Sequence, residues 1–298
     1  MQNLRITGVE KNPYAVNTLH NMVIEEDMKN VTILSGDMRS VAPEREAQLR
    51  ADVIVSELLG SFGDNELSPE CLYPTERFAH EATIYIPAYY RAQFRPMSSQ
   101  NLWGEVKQFP VGKGECPFEI GYVVCIFGAS YPCGEKIETA FEFWHPSEDK
   151  SSKRETHARF KAERDGWITG FAGYFETQLY GDVWLSTNPR THTEDMHSWF
   201  PIYFPVKVRI DALRSDDIAA GAIFCREGRL DDDPHVAMPG GKQNMVRMVH
   251  GGNKGERQKG SSNGDPQRQR KVLLDRITHL IGTPQTKFML ESLENTRI

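Results

Sequence analysis

Apolar positions along this chain change period near its first third. Leu4-Arg5-Ile6-Thr7-Gly8-Val9-Glu10 reads as a strand that begins almost at the first residue. Asn12-Pro13 then predicts a helix start, because asparagine caps well and proline fits the first helical position. Ala15, Val16, Leu19, Met22 and Val23 carry that helix as a stripe of helical spacing. Val31-Thr32-Ile33-Leu34 is the next strand and ends at Gly36-Asp37-Met38-Arg39. The run Ala51-Asp52-Val53-Ile54-Val55-Ser56 predicts a strand buried in the middle of a parallel sheet. Leu67 to His80 reads as helix with an internal Pro74, and Ala82 to Pro87 as another strand. Strand, helix, strand, connector, strand is the parallel βαβ arrangement.

Beyond Pro87 the period shortens. Tyr89 to Phe94, Tyr122 to Phe127, Ala140 to Trp144, Trp167 to Tyr174 and Gln178 to Ser186 alternate and are rich in aromatics. Short alternating strands separated by Gly and Pro predict an antiparallel barrel or sandwich. From about Ala212 the strand pattern is no longer recognisable. Asp231 to Lys271 is dominated by Gly, Lys, Arg, Gln and Ser, a composition that buries too little apolar area to offset chain entropy and predicts disorder. Val272 to Ile281 reads as a short terminal helix. The expected division is therefore an α/β unit over 1–86, a β unit over 87–230 and a mostly disordered tail over 231–298.

Composition narrows the function. The chain has 298 residues with 39% apolar and 26% charged content and a net charge of -6. That balance describes a globular protein and disfavours general nucleic-acid binding, while an acidic surface attracts basic, Arg-rich polypeptides. No apolar run approaches the ~20 residues of a membrane-spanning helix. The five cysteines, Cys71, Cys116, Cys125, Cys133 and Cys225, form no C-x-x-C pair and no zinc spacing. Their odd number predicts reduced thiols and a cytoplasmic or nuclear setting. No metal is expected.

The candidate chemistry lies after the strand ending at Ser56. Glu57 stands at the carboxyl end of a strand, where open α/β sheets hold ligands. The loop Leu58-Leu59-Gly60-Ser61-Phe62-Gly63-Asp64-Asn65 returns a second carboxylate, Glu66, to the same place. Two converging carboxylates suit a planar cation, and guanidinium matches them bidentately. Glu10, ending the first strand, suits ribose hydroxyls; Asp37 and the Met38 backbone, ending the second, suit an adenine amino group. A Rossmann oxidoreductase shares the strand-end acid, but no G-x-G-x-x-G occurs and a double-glutamate loop has no task there.

Three strings carry a resemblance. Glu10-Lys11-Asn12-Pro13, Gly36-Asp37-Met38-Arg39 and the loop from Ser56 through Glu57 and Glu66 to Leu72 resemble the type II protein arginine methyltransferases, the protein arginine methyltransferase 5 family. The likeness continues at Gly170 to Thr177 and at Ser198-Trp199-Phe200-Pro201-Ile202 and spans roughly residues 4 to 210. It implies a partial Rossmann-like methyltransferase sheet followed by a β-barrel oligomerisation domain. It implies S-adenosylmethionine as cofactor, Glu57 and Glu66 as guanidinium-binding catalytic residues, and Trp199 beside the substrate arginine. Glu10, Asp37 and Met38 become cofactor contacts. Symmetric dimethylation of Arg-rich histones and splicing proteins, a homo-oligomer, and a WD-repeat partner through an N-terminal barrel are further implications. The family's Gly-rich cofactor loop and that N-terminal barrel are expected to precede the first residue here. An inactive interaction subunit is the alternative expectation. His192 and His197 flank the tryptophan segment and read as loop residues.

Overall fold

The structure is a computed structural model that describes residues 4–41, 49–110, 112, 116–151, 154–196, 198–215, 217–225 and 245–250. Strand β1 (Ile6–Glu10) leads into helix α1 (Pro13–Glu25) and strand β2 (Val31–Ser35). Asn12 caps α1 with its side-chain Oδ1, which accepts from the Tyr14 N–H at 3.0 Å, and Pro13 occupies the first turn. β1 and β2 pair in parallel, with Glu10 opposite Ser35. After a 3₁₀ turn at Met38–Ser40 the chain forms β3 (Val53–Val55), α2 (Ser68–Leu72) and β4 (Ile84–Ile86). The expected helix to His80 stops early. Pro74 has no amide hydrogen to donate, and the chain tightens into a 3₁₀ segment over Tyr73–Phe78.

β3 and β4 pair in parallel but form their own two-stranded sheet, separate from β1 and β2. The expectation of a strand buried mid-sheet is corrected here: Val53 is 47% and Val55 58% exposed. The apolar run measured strand tendency, whereas burial depends on what covers each face, and no described element lies over those two side chains.

The second unit contains β5 (Tyr89–Met97), α3 (Gln100–Gln108), β6 (Tyr122–Val123), β7 (Glu138–Trp144) and β8 (Arg154–Lys161). It continues with β9 (Gly166–Tyr180), β10 (Val183–Ser186), β11 (Ile202–Ala212), β12 (Asp217–Cys225) and β13 (Met245–His250). One antiparallel sheet runs β6-β11-β9-β5-β7, with β10 added to β9; the other runs β13-β12-β8. Their inner faces share one core, in which Phe94, Phe141, Phe171 and Phe175 meet Phe160, Ile218 and Ala220. The two expected segments at 167–174 and 178–186 prove to be one long strand, β9, and a hairpin partner turned at Gly181, whose φ is +55°. The expected strand through Phe127 is confined to Tyr122–Val123.

Three elements went unforeseen. α3 carries a polar stretch whose only buried side chain is Val106. β8 alternates, but its inward positions are mostly small or charged, so its period is faint. β12 lies within the expected β unit but where no strand pattern was recognised, and β13 lies inside the stretch expected to be disordered. Met245-Val246-Arg247-Met248-Val249-His250 has strand composition, and backbone pairing along β12 offsets the entropy that average composition alone suggested would win. The expected terminal helix at 272–281 lies outside the described residues.

Candidate active site

The loop from Glu57 to Glu66 is built by its own backbone and then gripped by the barrel. Gly60 and Gly63 exchange two backbone hydrogen bonds, at 3.1 and 2.8 Å, which closes a tight turn over Ser61 and Phe62. Gly63 has φ +77°, in the left-handed region that a Cβ disfavours. Asn65 secures the return: its Oδ1 accepts from the Phe62 N–H at 2.7 Å. A Cβ on Gly60 would sit 2.4 Å from that oxygen, so the position admits only glycine without moving Asn65.

Phe62 is fully buried and makes an edge contact with Phe204 at 5.1 Å between ring centroids. Gly173 on β9 leaves the space, because an added Cβ would lie 2.6 Å from the Phe62 ring. Asp64, also fully buried, meets Arg154 of β8, whose Nε donates to Asp64 Oδ2 at 3.1 Å. The same guanidinium donates through Nη1 to Glu70 Oε1 at 2.8 Å. Burial pushes the Asp64 carboxyl up and Arg154 pulls it back, while Arg154 itself is held protonated by both carboxylates. One barrel cation thus ties the loop's second leg to helix α2.

Trp199 closes the first leg. Its Nε1 donates to the Leu59 carbonyl at 2.8 Å, and its ring meets Phe175 edge-on at 5.8 Å. The residue is half-buried and sits at φ +57°, where a bulky side chain is strained by ~1–2 kcal/mol. Beyond any contact with a ligand, this tryptophan therefore holds the glutamate loop. Trp199→Phe keeps a ring and removes the donor. It is expected to lower stability by ~1–2 kcal/mol, the cost of a half-buried carbonyl left short of a partner; an unchanged denaturant midpoint would refute the role.

Glu57 and Glu66 come together at the mouth formed by this loop. Both reach solvent, yet the protein mass around them desolvates both. That desolvation raises the Glu57 carboxyl. It raises Glu66 to about 7, with the neighbouring charge of Glu57 adding to the effect. No cation offsets either shift, and among the described residues neither carboxylate has a hydrogen-bond or ion-pair partner. Two interacting carboxylates without a described partner are chemically suited to accept a cation.

The strand ends place the other candidates. Glu10 lies opposite Ser35, and its Oε1 accepts from the Asn12 N–H at 2.6 Å. The carboxylate is partly open and its second oxygen has no described donor, so it fits a pair of ribose hydroxyls. Asp37 stands just beyond β2 on the same sheet end, but Arg39 engages both its oxygens, and this pairing holds the Asp37 carboxyl low. The Met38 carbonyl accepts from Arg77 Nη2 at 2.9 Å. His192 is exposed, and His197 lies outside the described residues. Sequence reasoning missed Asn65, Asp64, Arg154 and Glu70. Asp64, Asn65 and Glu70 had a signal, lying inside the Ser56 to Leu72 string; Arg154 had none, being 90 residues from Asp64.

Comparison with known proteins places this geometry. Residues 1–86 match the family model described as PRMT5 arginine-N-methyltransferase, and residues 89–226 the model described as PRMT5 oligomerisation domain. Protein arginine N-methyltransferase 5 of Xenopus laevis is 40% identical over 235 residues, 76% of this chain and 35% of that protein. The Oryza sativa subsp. indica protein of the same name is 41% identical over 209 residues, 68% of this chain and 31% of its own length. Protein arginine N-methyltransferase skb1 of Schizosaccharomyces pombe is 38% identical over 214 residues, 67% of this chain and 33% of that protein. The chain spans about a third of the length of these relatives. Among solved structures, the Trypanosoma brucei PRMT1 enzyme-prozyme heterotetrameric complex with AdoHcy superimposes with a TM-score of 0.56 at 12% identity, covering 73% of this chain and 70% of that one. That likeness establishes the fold: a partial Rossmann-like α/β unit followed by a β-barrel.

Proposed function

The chain belongs to the protein arginine methyltransferase 5 family, and from that premise we propose that it transfers methyl groups from S-adenosylmethionine to guanidinium nitrogens of polypeptide arginines. The observation that carries the reading is the coupled, uncompensated pair Glu57 and Glu66. A protonated arginine is a poor nucleophile, because its lone pairs are delocalised into the cation. Two carboxylates on one side of the plane orient it and draw the positive charge towards themselves, away from the nitrogen to be methylated. Holding that nitrogen on the transfer axis contributes up to ~7–11 kcal/mol in well-oriented systems.

The bound cation lowers both carboxyl pKa values and keeps the pair ionised. Glu66 is the more strongly raised of the two carboxyls in the cation-free site, and we assign it to receive the proton that the methylated nitrogen releases as the positive charge leaves the clamp. S-adenosylmethionine, when bound, supplies the electrophilic methyl. Glu10 is the residue best fitted to hold its ribose hydroxyls. Asp37 contributes to the adenine only if Arg39 yields one carboxylate oxygen, and Met38 lies beside it. Symmetric dimethylation, Arg-rich substrates of the histone and splicing-protein kind, assembly into oligomers through the barrel, a WD-repeat partner and a cytoplasmic and nuclear setting complete the reading.

The test is transfer from methyl-labelled S-adenosylmethionine to an Arg-Gly peptide, read by mass spectrometry of the hydrolysed peptide. Labelled methylarginine is expected. No label in the peptide at saturating cofactor overturns the assignment of turnover to this chain and leaves an interaction subunit.

A further inference from the structure

A second aromatic and acidic feature lies on the barrel face away from its core. Trp144 of β7, Tyr89 of β5, Gln178 of β9 and Trp184 of β10 are direct cross-strand partners and form one row over four strands. The Tyr89 ring lies 4.3 Å from that of Trp144 and 6.0 Å from that of Trp184. Tyr89 is only 5% exposed, whereas Trp144 is 59% and Trp184 44% exposed. The row therefore has a covered floor and two indoles turned to water, neither of which the fold needs for burial.

The next row on the same face supplies charge. Glu142, Arg91 and Glu176 are cross-strand partners there, with Ser186 beyond them. Glu176 is buried and satisfied by Arg91, Ser186 and Thr191. Glu142 is exposed, lies two residues from Trp144 on the same face, and among the described residues takes only the Tyr89 hydroxyl, at 2.6 Å. Asp182 adds a second exposed carboxylate in the hairpin beside Trp184. Exposed indole faces next to carboxylates attract cations, and a flat guanidinium stacks on indole better than an ammonium does.

We propose that this platform, Trp144, Tyr89 and Trp184 with Glu142, binds an arginine side chain of an Arg-rich polypeptide at a point distinct from the Glu57 and Glu66 pair. The inference rests on the reading that such polypeptides are the substrates. A second anchoring arginine holds a repetitive chain while a neighbouring one is presented for reaction, and it raises the effective concentration of the rest. The site binds and positions only.

The test uses the full chain labelled with 5-fluorotryptophan, without cofactor, so that it does not depend on methyl transfer. The resonances of Trp144 and Trp184, assigned by single Trp→Phe variants, are expected to shift on titration with an Arg-Gly peptide and much less with Lys-Gly or Gln-Gly peptides. Trp144→Ala with Trp184→Ala is expected to weaken Arg-Gly binding by about tenfold, from about threefold for each indole. Glu142→Gln, which leaves every apolar contact intact, is expected to weaken it about threefold, in the range of one exposed charge interaction. Glu57→Gln is expected to leave the Trp144 and Trp184 shifts in place. Equal response to Lys-Gly or Gln-Gly, or unchanged affinity in the double variant and in Glu142→Gln, overturns the proposal. So does a double variant that keeps its peptide affinity but sediments as a smaller species, which would assign the face to a second copy of the chain. Platform shifts without any methyl transfer would sink the proposed activity and keep this site.

Discussion

Glutamine at position 57 or 66 lowers methyl transfer to an arginine peptide by at least about 100-fold, at the low end of acid–base and electrostatic contributions in enzyme sites. The substitution preserves shape and removes one of two charges that have no partner among the described residues. The expected signature separates it from a folding defect. Glu66 has a folded pKa of about 7, above its unfolded value. Between those two values the native state binds more protons than the unfolded state, so the ionised site destabilises the fold progressively as pH rises through 7. Glu66→Gln is therefore expected to unfold at a higher temperature than the parent at pH 8 while having lost its activity. Parental kcat/KM rises with pH through about 7 as the free enzyme's pair ionises, whereas kcat, read on the cation-bound pair, does not follow that titration. In Glu57→Gln the Glu66 titration, followed by carboxyl carbon NMR, moves to lower pH because the neighbouring charge is gone. A Gln variant with parental turnover, or a Glu66 titration indifferent to residue 57, would show that the two carboxylates do not act as a pair.

Arg154→Met costs ~3–5 kcal/mol of stability, the penalty of removing one member of a buried ion cluster and leaving the others unmatched. Arg154 is the counter-charge to fully buried Asp64 and to Glu70. With it gone the buried Asp64 carboxyl is driven to bind a proton, so the variant should regain stability as pH falls and lose it as pH rises, opposite to the usual effect of breaking a surface pair. Denaturant unfolding at several pH values decides this, and a loss below about 1 kcal/mol at pH 8 would refute it. A double variant, Asp64→Asn with Arg154→Met, should recover part of the loss. Because Asp64 stands two residues before Glu66, the single variant should also weaken arginine-peptide binding under conditions where it remains folded.

The return of Glu66 towards Glu57 was legible from the chain because the turn that joins them is local, although the barrel then holds that loop through Trp199 and Arg154. The strand run to Ser56, the Gly60 and Gly63 turn and Glu66 lie within one short segment, and turn chemistry acts over a few residues. The same holds for α1, whose Asn12-Pro13 start works through its own backbone. By contrast, β8 was not legible, since Arg154 carries its meaning only when the fold brings it to Asp64 and Glu70. Trp199 was read by resemblance as a substrate contact. That its indole holds the Leu59 carbonyl is a property of two segments 140 residues apart.

The amino-acid order on its own carried the parallel start, the alternating antiparallel strands and the turn of the acid-bearing loop, because periodicity and turn residues are properties of neighbours along the chain. Tertiary structure alone decided which strands remain uncovered, that β12 and β13 extend the barrel, that Glu66 titrates near 7 rather than as an ordinary carboxyl, and that Trp144 and Trp184 flank Tyr89 on one outer face. Burial, desolvation and cross-strand adjacency depend on distances through space, and those are set only when remote segments pack.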